Sequence, residues 1–213
     1  SAMYPRTMLH LASKSPRRRE LLRVLGLEFG ILDLDLPETP ALGELPEDYV
    51  RRVAREKAGA GLLRVIGQPE AVVLGADTEV VLDGRIFGKP VDAIEAAVML
   101  RTLSGRTHAV ISALSMVSAG RELQAVSVSE VTFAAMSEDD IREYLAAGEW
   151  HGKAGAYAIQ GLAQGFISRL SGSYSGVMGL PLYETATLLR QFGLFPAHRG
   201  RRPDDGIAEE RAS

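Results

Sequence analysis

Leu11-Ala12-Ser13-Lys14-Ser15-Pro16-Arg17-Arg18-Arg19-Glu20-Leu21-Leu22 has the residue types of a phosphate site: an apolar run, then a polar turn, then a helical pattern. Ser15 is a good helix cap and Pro16 suits the first helical position, so the unpaired N–H groups of that helix start should point at the turn. The hydroxyls of Ser13 and Ser15 can donate to phosphate oxygens, and of three consecutive arginines at least one should face a ligand there. The same residues could form an ordinary capped helix with solvated arginines. Three cations beside the positive end of a helix are unfavourable unless an anion compensates them, and this favours a nucleotide polyphosphate.

A base for the chemistry is offered by Asp77. It follows the apolar run Ala71-Val72-Val73-Leu74-Gly75-Ala76, which reads as a strand covered on both faces with Asp77-Thr78 at its carboxyl end. A carboxylate placed there is rigid and partly desolvated, which suits a general base or a metal ligand, and Thr78 adds a hydroxyl. Lys89, between Gly88 and Pro90, follows a hairpin that carries it back toward Asp77, although an exposed turn lysine has the same pattern. Lys57 borders the apolar stripe of a helix, where lysines usually reach out to water. Glu38, in Leu36-Pro37-Glu38-Thr39-Pro40, could join Asp77 at a cation or be a solvated loop charge. His10, His108, His151 and His198 show no ligand spacing and read as structural or exposed. Gly172-Ser173-Tyr174-Ser175-Gly176 is superficially like a serine nucleophile elbow, but its glycines fall four apart around Tyr174 and no strand-to-helix step is expected there, so a serine hydrolase is rejected.

Composition narrows the function classes. The 213-residue chain is 46% apolar and 24% charged, as in a globular protein with a full core. Zero cysteines exclude disulfides, thiolate metal sites and thiol nucleophiles, so a metal would rest on carboxylates, histidine or phosphate oxygens, favouring magnesium or manganese. A net charge of −3 argues against a general nucleic-acid binder. No apolar run reaches the length of a membrane span and no signal peptide is visible, so a cytoplasmic location is expected.

The elements that must position these residues alternate in type. Strands are expected at Met8–Ala12, Glu28–Leu32 and Ala71–Ala76, and helices at Pro16–Leu25 and Pro46–Leu63. Asp83-Gly84 predicts a hairpin between Val80–Leu82 and Arg85–Phe87, and Asp92 caps a helix to Leu103. His108–Val117 and Glu122–Phe133 read as two long strands joined at Ala119-Gly120. A helix from Ser137 to Ala147, a strand at Gly165–Leu170 and a last helix after Gly179-Leu180-Pro181 complete a mixed α/β pattern with long antiparallel strands. Ser1-Ala2-Met3 reads as a cloning leader and residues 196–213 as a disordered tail, leaving one domain over residues 4–195.

Seven segments, in order, are similar to the Maf family of nucleoside triphosphate pyrophosphatases. They are Leu11 to Arg18, Ala54-Arg55-Glu56-Lys57-Ala58, Gly75-Ala76-Asp77-Thr78, Gly88-Lys89-Pro90, Leu103-Ser104-Gly105, Gly152 to Gly161, and Gly179-Leu180-Pro181-Leu182. The resemblance implies an elongated α/β fold akin to inosine triphosphate pyrophosphatases, with a central cleft between two lobes. It also implies cleavage of a nucleoside triphosphate to the monophosphate and pyrophosphate with a divalent metal cation, and a homodimer. By position, Asp77 resembles the family's proton acceptor. Ser13, Ser15, Arg18, Lys57 and Lys89 match its polyphosphate contacts, and Glu38 and Asp77 its metal-holding carboxylates.

Arg17, Thr78 and Gln160 resemble the branch that hydrolyses dTTP and UTP, rather than the branch acting on 7-methyl-GTP. A glutamine amide can accept from pyrimidine N3–H and donate to O4, a pattern that suits thymine and uracil, modified pyrimidines included, and mismatches cytosine. Gly176 departs from the asparagine that many relatives carry before Val177. A non-catalytic nucleotide-binding regulator of cell division is the alternative class, which an intact set of Asp77, Lys57 and Lys89 disfavours.

Overall fold

The computed structural model describes residues 8–196; Ser1-Ala2-Met3, His198 and the other residues of 197–213 lie outside them. Seven strands form one mixed sheet: β1 (Leu9–Ala12), β2 (Gly30–Leu32), β3 (Val72–Leu82), β4 (Arg85–Phe87), β5 (Thr107–Ser118), β6 (Arg121–Phe133) and β7 (Ile167–Ser171). Their order is β2-β1-β3-β5-β6-β7, with β4 beside β3. β1 runs parallel to β2 and β3, and the remaining pairs are antiparallel. The helices are α1 (Pro16–Val24), α2 (Pro46–Arg64), α3 (Ala93–Leu103), α4 (Glu138–Ala146), α5 (Tyr174–Met178) and α6 (Leu182–Gln191). The mixed α/β architecture is the one expected.

Local signals account for most boundaries. Ser15 caps α1 by accepting from the Arg18 amide, with Pro16 in the first turn. Asp92 caps α3 through the Glu95 amide, and Ser137 with Asp140 forms a reciprocal capping box on α4. Asp83 and Gly84 adopt φ of 52° and 74°, the left-handed pair that a two-residue hairpin requires. The last strand begins at Ile167 rather than Gly165, because Leu162–Gly165 closes a short 3-10 turn first.

The central strand β3 separates two packing environments. Val73 and Val81 face α2, packing with Ala58 and with Tyr49, Val50, Val53 and Ala54, while Leu74, Ala76, Val80 and Leu82 join the larger core on the opposite face. Gly75 faces α2 at its closest approach: a Cβ there would collide with the Ala54 carbonyl and the Ala58 amide.

One expectation is corrected here. Asp77 does not end a strand; it lies inside the 11-residue β3, paired with Ala113 of β5. β-Branched Val80 and Val81 and the hairpin beyond them carry the strand on. What ends beside Asp77 is β1, whose last pair is Ala12 with Gly75, while β4 begins pairing only at Val80 with Phe87. β5 occupies the other edge of β3 from Val73 to Val81. Residues 76–79 therefore have one open edge, a gap in the sheet. The Ser13–Pro16 turn leaves the sheet at one end of the gap and Lys89-Pro90 at the other.

Candidate active site

A cavity of about 530 Å³ opens at this gap. Its wall includes every residue singled out from the sequence: Ser13, Ser15, Arg17, Arg18, Glu38, Lys57, Asp77, Thr78, Lys89 and Gln160. They come from the β1–α1 turn, the first turn of α1, the loop after β2, α2, β3, the loop after β4 and the segment after α4.

At the amino-terminal turn, Ser13 Oγ accepts from the Ser15 amide at 3.0 Å and Ser15 Oγ from the Arg18 amide at 3.3 Å. Both hydroxyl protons remain free to be donated to a ligand. Arg18 donates from Nε to the Gly179 carbonyl at 2.8 Å and from Nη2 to Thr78 Oγ1 at 3.2 Å, and Arg17 Nε donates to the Met178 carbonyl at 3.3 Å. Arg19 turns away to Asp33 at 3.0 Å. Two of the three arginines thus face the cavity. Burial lowers the pKa of both, with the Arg17–Arg18 repulsion adding for Arg17 and Asp77, Glu38 and Glu79 opposing it for Arg18.

The α2-facing side of β3 carries the charged cluster. Gly75 lets α2 lie close, which brings Lys57 Nζ over the gap, 2.7 Å from Glu38 Oε1, 3.5 Å from Asp77 Oδ1 and 3.3 Å from the Ala76 carbonyl. Lys57 does not reach to bulk water. Asp77 is 3% exposed and its Oδ2 has no hydrogen-bond partner. Burial pushes its carboxyl above the usual range, against the pull of Lys57 and Arg18. Burial also works to raise Glu38, but Lys57, by charge and hydrogen bond, with Lys89 and Arg18, holds it below its ordinary value.

Glu79, two residues beyond Asp77 on the same face, was missed in the sequence. It is 7% exposed, Oε2 is unpartnered, and burial followed by the charges of Asp77 and Glu38 pushes it up to about 8. The signal that could have found it is the period-two alternation continuing past Thr78.

The opposite face of β3 is saturated. Thr78 Oγ1 contacts Ser112 Oγ at 2.8 Å, Arg18 Nη2 and the Gly179 carbonyl, and Ser112 Oγ donates to the Gly176 carbonyl at 2.6 Å. Gly179 sits at φ 134°, a conformation that frees its carbonyl for Arg18 and Thr78 and that side-chain-bearing residues rarely adopt. Gly176 is not on the cavity wall, and a Cβ there would meet Ser173 and Ser127.

Lys153 and His151 also reach the cavity. Lys153 belongs to the Gly152–Gly161 segment; burial and then Arg17 and Lys89 lower its pKa. His151, expected to be structural or exposed, is exposed and stacked on Trp150 while bordering the opening. His108 is buried, bonded through Nε2 to Tyr157 Oη at 2.6 Å, with its pKa driven down to about 4 by burial.

The expected lack of a strand-to-helix step at Gly172–Gly176 is also corrected. β7 ends at Ser171 and α5 begins at Tyr174, because Ser173 caps it by accepting from the Gly176 amide at 2.9 Å. No nucleophile results, since Ser175 Oγ is tied to the Leu182 amide and the cavity wall omits both serines.

A divalent cation fits the donor set. Among the described residues no three carboxylates or histidines form a ready cage. Magnesium is commonly held by one or two carboxylates plus substrate phosphates, and the Asp77 and Glu38 carboxyl groups, which meet at Lys57, offer that arrangement.

The sequence profile described as Maf-like protein matches residues 8–192. The chain belongs to that family. A Xylella fastidiosa protein named nucleoside triphosphate pyrophosphatase is 59% identical over 186 residues, covering 87% of this Maf-like chain and 98% of its own. A Xanthomonas euvesicatoria pv. vesicatoria protein named dTTP/UTP pyrophosphatase is 60% identical over 188 residues, covering 87% and 99%. The solved Staphylococcus aureus Ham1 protein overlaps 59% of this chain and 71% of its own at 16% identity, with a TM-score of 0.43, too partial an overlap to bear on the Maf-like site.

Proposed function

We propose that this protein is a nucleoside triphosphate pyrophosphatase that hydrolyses dTTP and UTP to the monophosphate and pyrophosphate. The observation that carries the reading is that the capped turn of α1 and the buried Asp77 open onto one cavity, so a single triphosphate can touch both. Family membership and the names of the 59–60% identical relatives support the reaction and the substrate class.

In this reading Ser13, Ser15 and Arg18 hold one part of the triphosphate and Lys57 and Lys89 another. Lys57 anchors Asp77 Oδ1, leaving Oδ2 as the atom that accepts a proton from the attacking water. The water oxygen bonds to the α-phosphorus, the bond to the bridging oxygen breaks, and pyrophosphate departs with its charge met by the lysines and arginines. Asp77 and Glu38 would hold a divalent cation, magnesium or manganese, which when bound neutralises phosphate charge and acidifies water. Gln160 reads the pyrimidine edge. Thr78, already engaged three ways, acts on substrate choice through Arg18 and Gly179 rather than by contact.

Among the described residues no helix is long and apolar enough to cross a membrane. A nucleotide pool is met in the cytoplasm, where we place the protein, as the homodimer that family resemblance implies.

Pyrophosphate release from a nucleotide panel with magnesium or manganese tests this. One pyrophosphate per monophosphate from dTTP and UTP is expected. Binding without turnover would favour the regulator, and a preference for 7-methyl-GTP the other branch.

A further inference from the structure

Glu79 has no role in the reaction described above, yet its placement is costly. Along β3 the side chains of Asp77 and Glu79 stand on one face, about 7 Å apart at the strand repeat. Across the sheet Asp77 is paired with Ala113 and Glu79 with Ile111, and Tyr49, Val50, Val53 and Ala54 of α2 pack on the same face. Glu79 is thus more than nine-tenths buried on an apolar background, with Oε2 unpartnered and its side chain on the cavity wall. Of the two lysines that act on it, Lys57 is already shared by Glu38 and Asp77, and among the described residues Lys89 makes no ion pair with Glu79. A buried carboxylate without a partner is unfavourable and calls for one.

Charge balance identifies the partner. Six cationic side chains line the cavity (Lys14, Arg17, Arg18, Lys57, Lys89, Lys153) against four carboxylates (Asp35, Glu38, Asp77, Glu79). A bound triphosphate more than cancels that excess and would bring its own negative charge toward Glu79. A protein cation cannot relieve this, whereas a hard divalent ion bridging phosphate oxygens and carboxylates can.

We propose that Glu79 is a third carboxylate ligand of the divalent cation, turning toward the ion from beside Asp77 when the metal enters. Repulsion by Asp77 and Glu38 accounts for the absence of a preformed three-carboxylate cage among the described residues, and a cation reverses that repulsion. The assignment rests on the reading of the cavity as a triphosphate site. It adds a ligand supplied by this chain's own Glu79.

The test is the binding of manganese, followed by the loss of its free-ion paramagnetic resonance signal, to wild type and Glu79→Gln, first alone and then with the α,β-imido analogue of UTP. Glu79→Gln is expected to weaken manganese binding about tenfold or more. The same substitution should leave metal-free binding of the analogue no weaker, because without metal Glu79 offers phosphate nothing that a glutamine lacks. Loss of metal binding without loss of analogue binding distinguishes a ligand from a merely structural residue, whose removal would weaken both. Manganese affinity within twofold of wild type, or parallel weakening of metal and analogue, would overturn the proposal. Failure of wild type to release pyrophosphate would instead strike the proposed function, and the titration with manganese alone still reads the ligand.

Discussion

The two faces of β3 contrast although they belong to one strand. Toward α2, Asp77 and Glu79 present unpartnered oxygens beside a lysine that Asp77 shares with Glu38. Away from α2, Thr78 and Ser112 are bonded to each other and to carbonyls and Arg18. One face holds unmet electrostatic demand that a ligand and cation can meet, and the other spends its polar groups on fixing Arg18 and the 176–179 backbone. Chemistry should therefore be lost by changes on the first face, and placement and stability by changes on the second.

The largest effect is expected from Asp77→Asn. Losing the proton acceptor should lower turnover about 10²–10⁴-fold while the fold persists, because the amide removes a buried charge without changing volume. Steady-state pyrophosphate release with circular dichroism of the purified variant checks both parts. Near-normal turnover would remove Asp77 from the mechanism and erase the contrast.

Lys57→Met comes next. Asp77 must be ionised to act, so kcat/KM should rise with pH through its raised pKa. Lys57 holds that pKa down against burial, so its loss should move the acid limb to higher pH as well as weaken substrate binding. A limb at the same pH would mean that another group sets the profile.

Glu79 gives a third, smaller effect, on stability. Its folded pKa of about 8 lies above the ordinary 4.5, so the folded state binds the proton more tightly than the unfolded chain. That contribution is complete below the unfolded value and is lost as pH rises through the folded one. Wild-type Tm should decline between about pH 4.5 and 8 more steeply than that of Glu79→Gln, as read by a thermal melt series.

Much of this contrast was legible in residue types, and the remainder depended on pairing partners distant in sequence. Ser15-Pro16, Asp83-Gly84, Asp92 and Ser137 act within a few residues of themselves, and they delimit their elements where local chemistry says they should. The open edge at residues 76–79 is set by where β1 and β4 stop pairing, one before β3 in sequence and one after it. Reading the strand as ending at Ala76 put Asp77 at a terminus and left Glu79 outside the pattern. Thr78 looked like a free hydroxyl because Ser112, 34 residues away, and Gly179, 101 away, are invisible locally.

The finest division of the two faces can be made with two serines of β5. Ser112 pairs with Thr78 and shares its saturated face, whereas Ser115 pairs with Gly75 and lies on the α2 side. Both are essentially buried, but Ser112 Oγ has two partners and Ser115 Oγ has none. Ser112→Ala strands the Gly176 carbonyl and loosens Thr78, so a loss of about 1–3 kcal/mol is expected, with KM raised severalfold through Arg18 and kcat little changed. Ser115→Ala removes a hydroxyl that is already unsatisfied, so stability should be unchanged or slightly higher. Chemical denaturation of the pair reads the difference in sign. Equal losses in both variants would mean that β5 tolerates no truncation on either face, and the distinction between a waiting face and a fixed one would then reduce to general packing density.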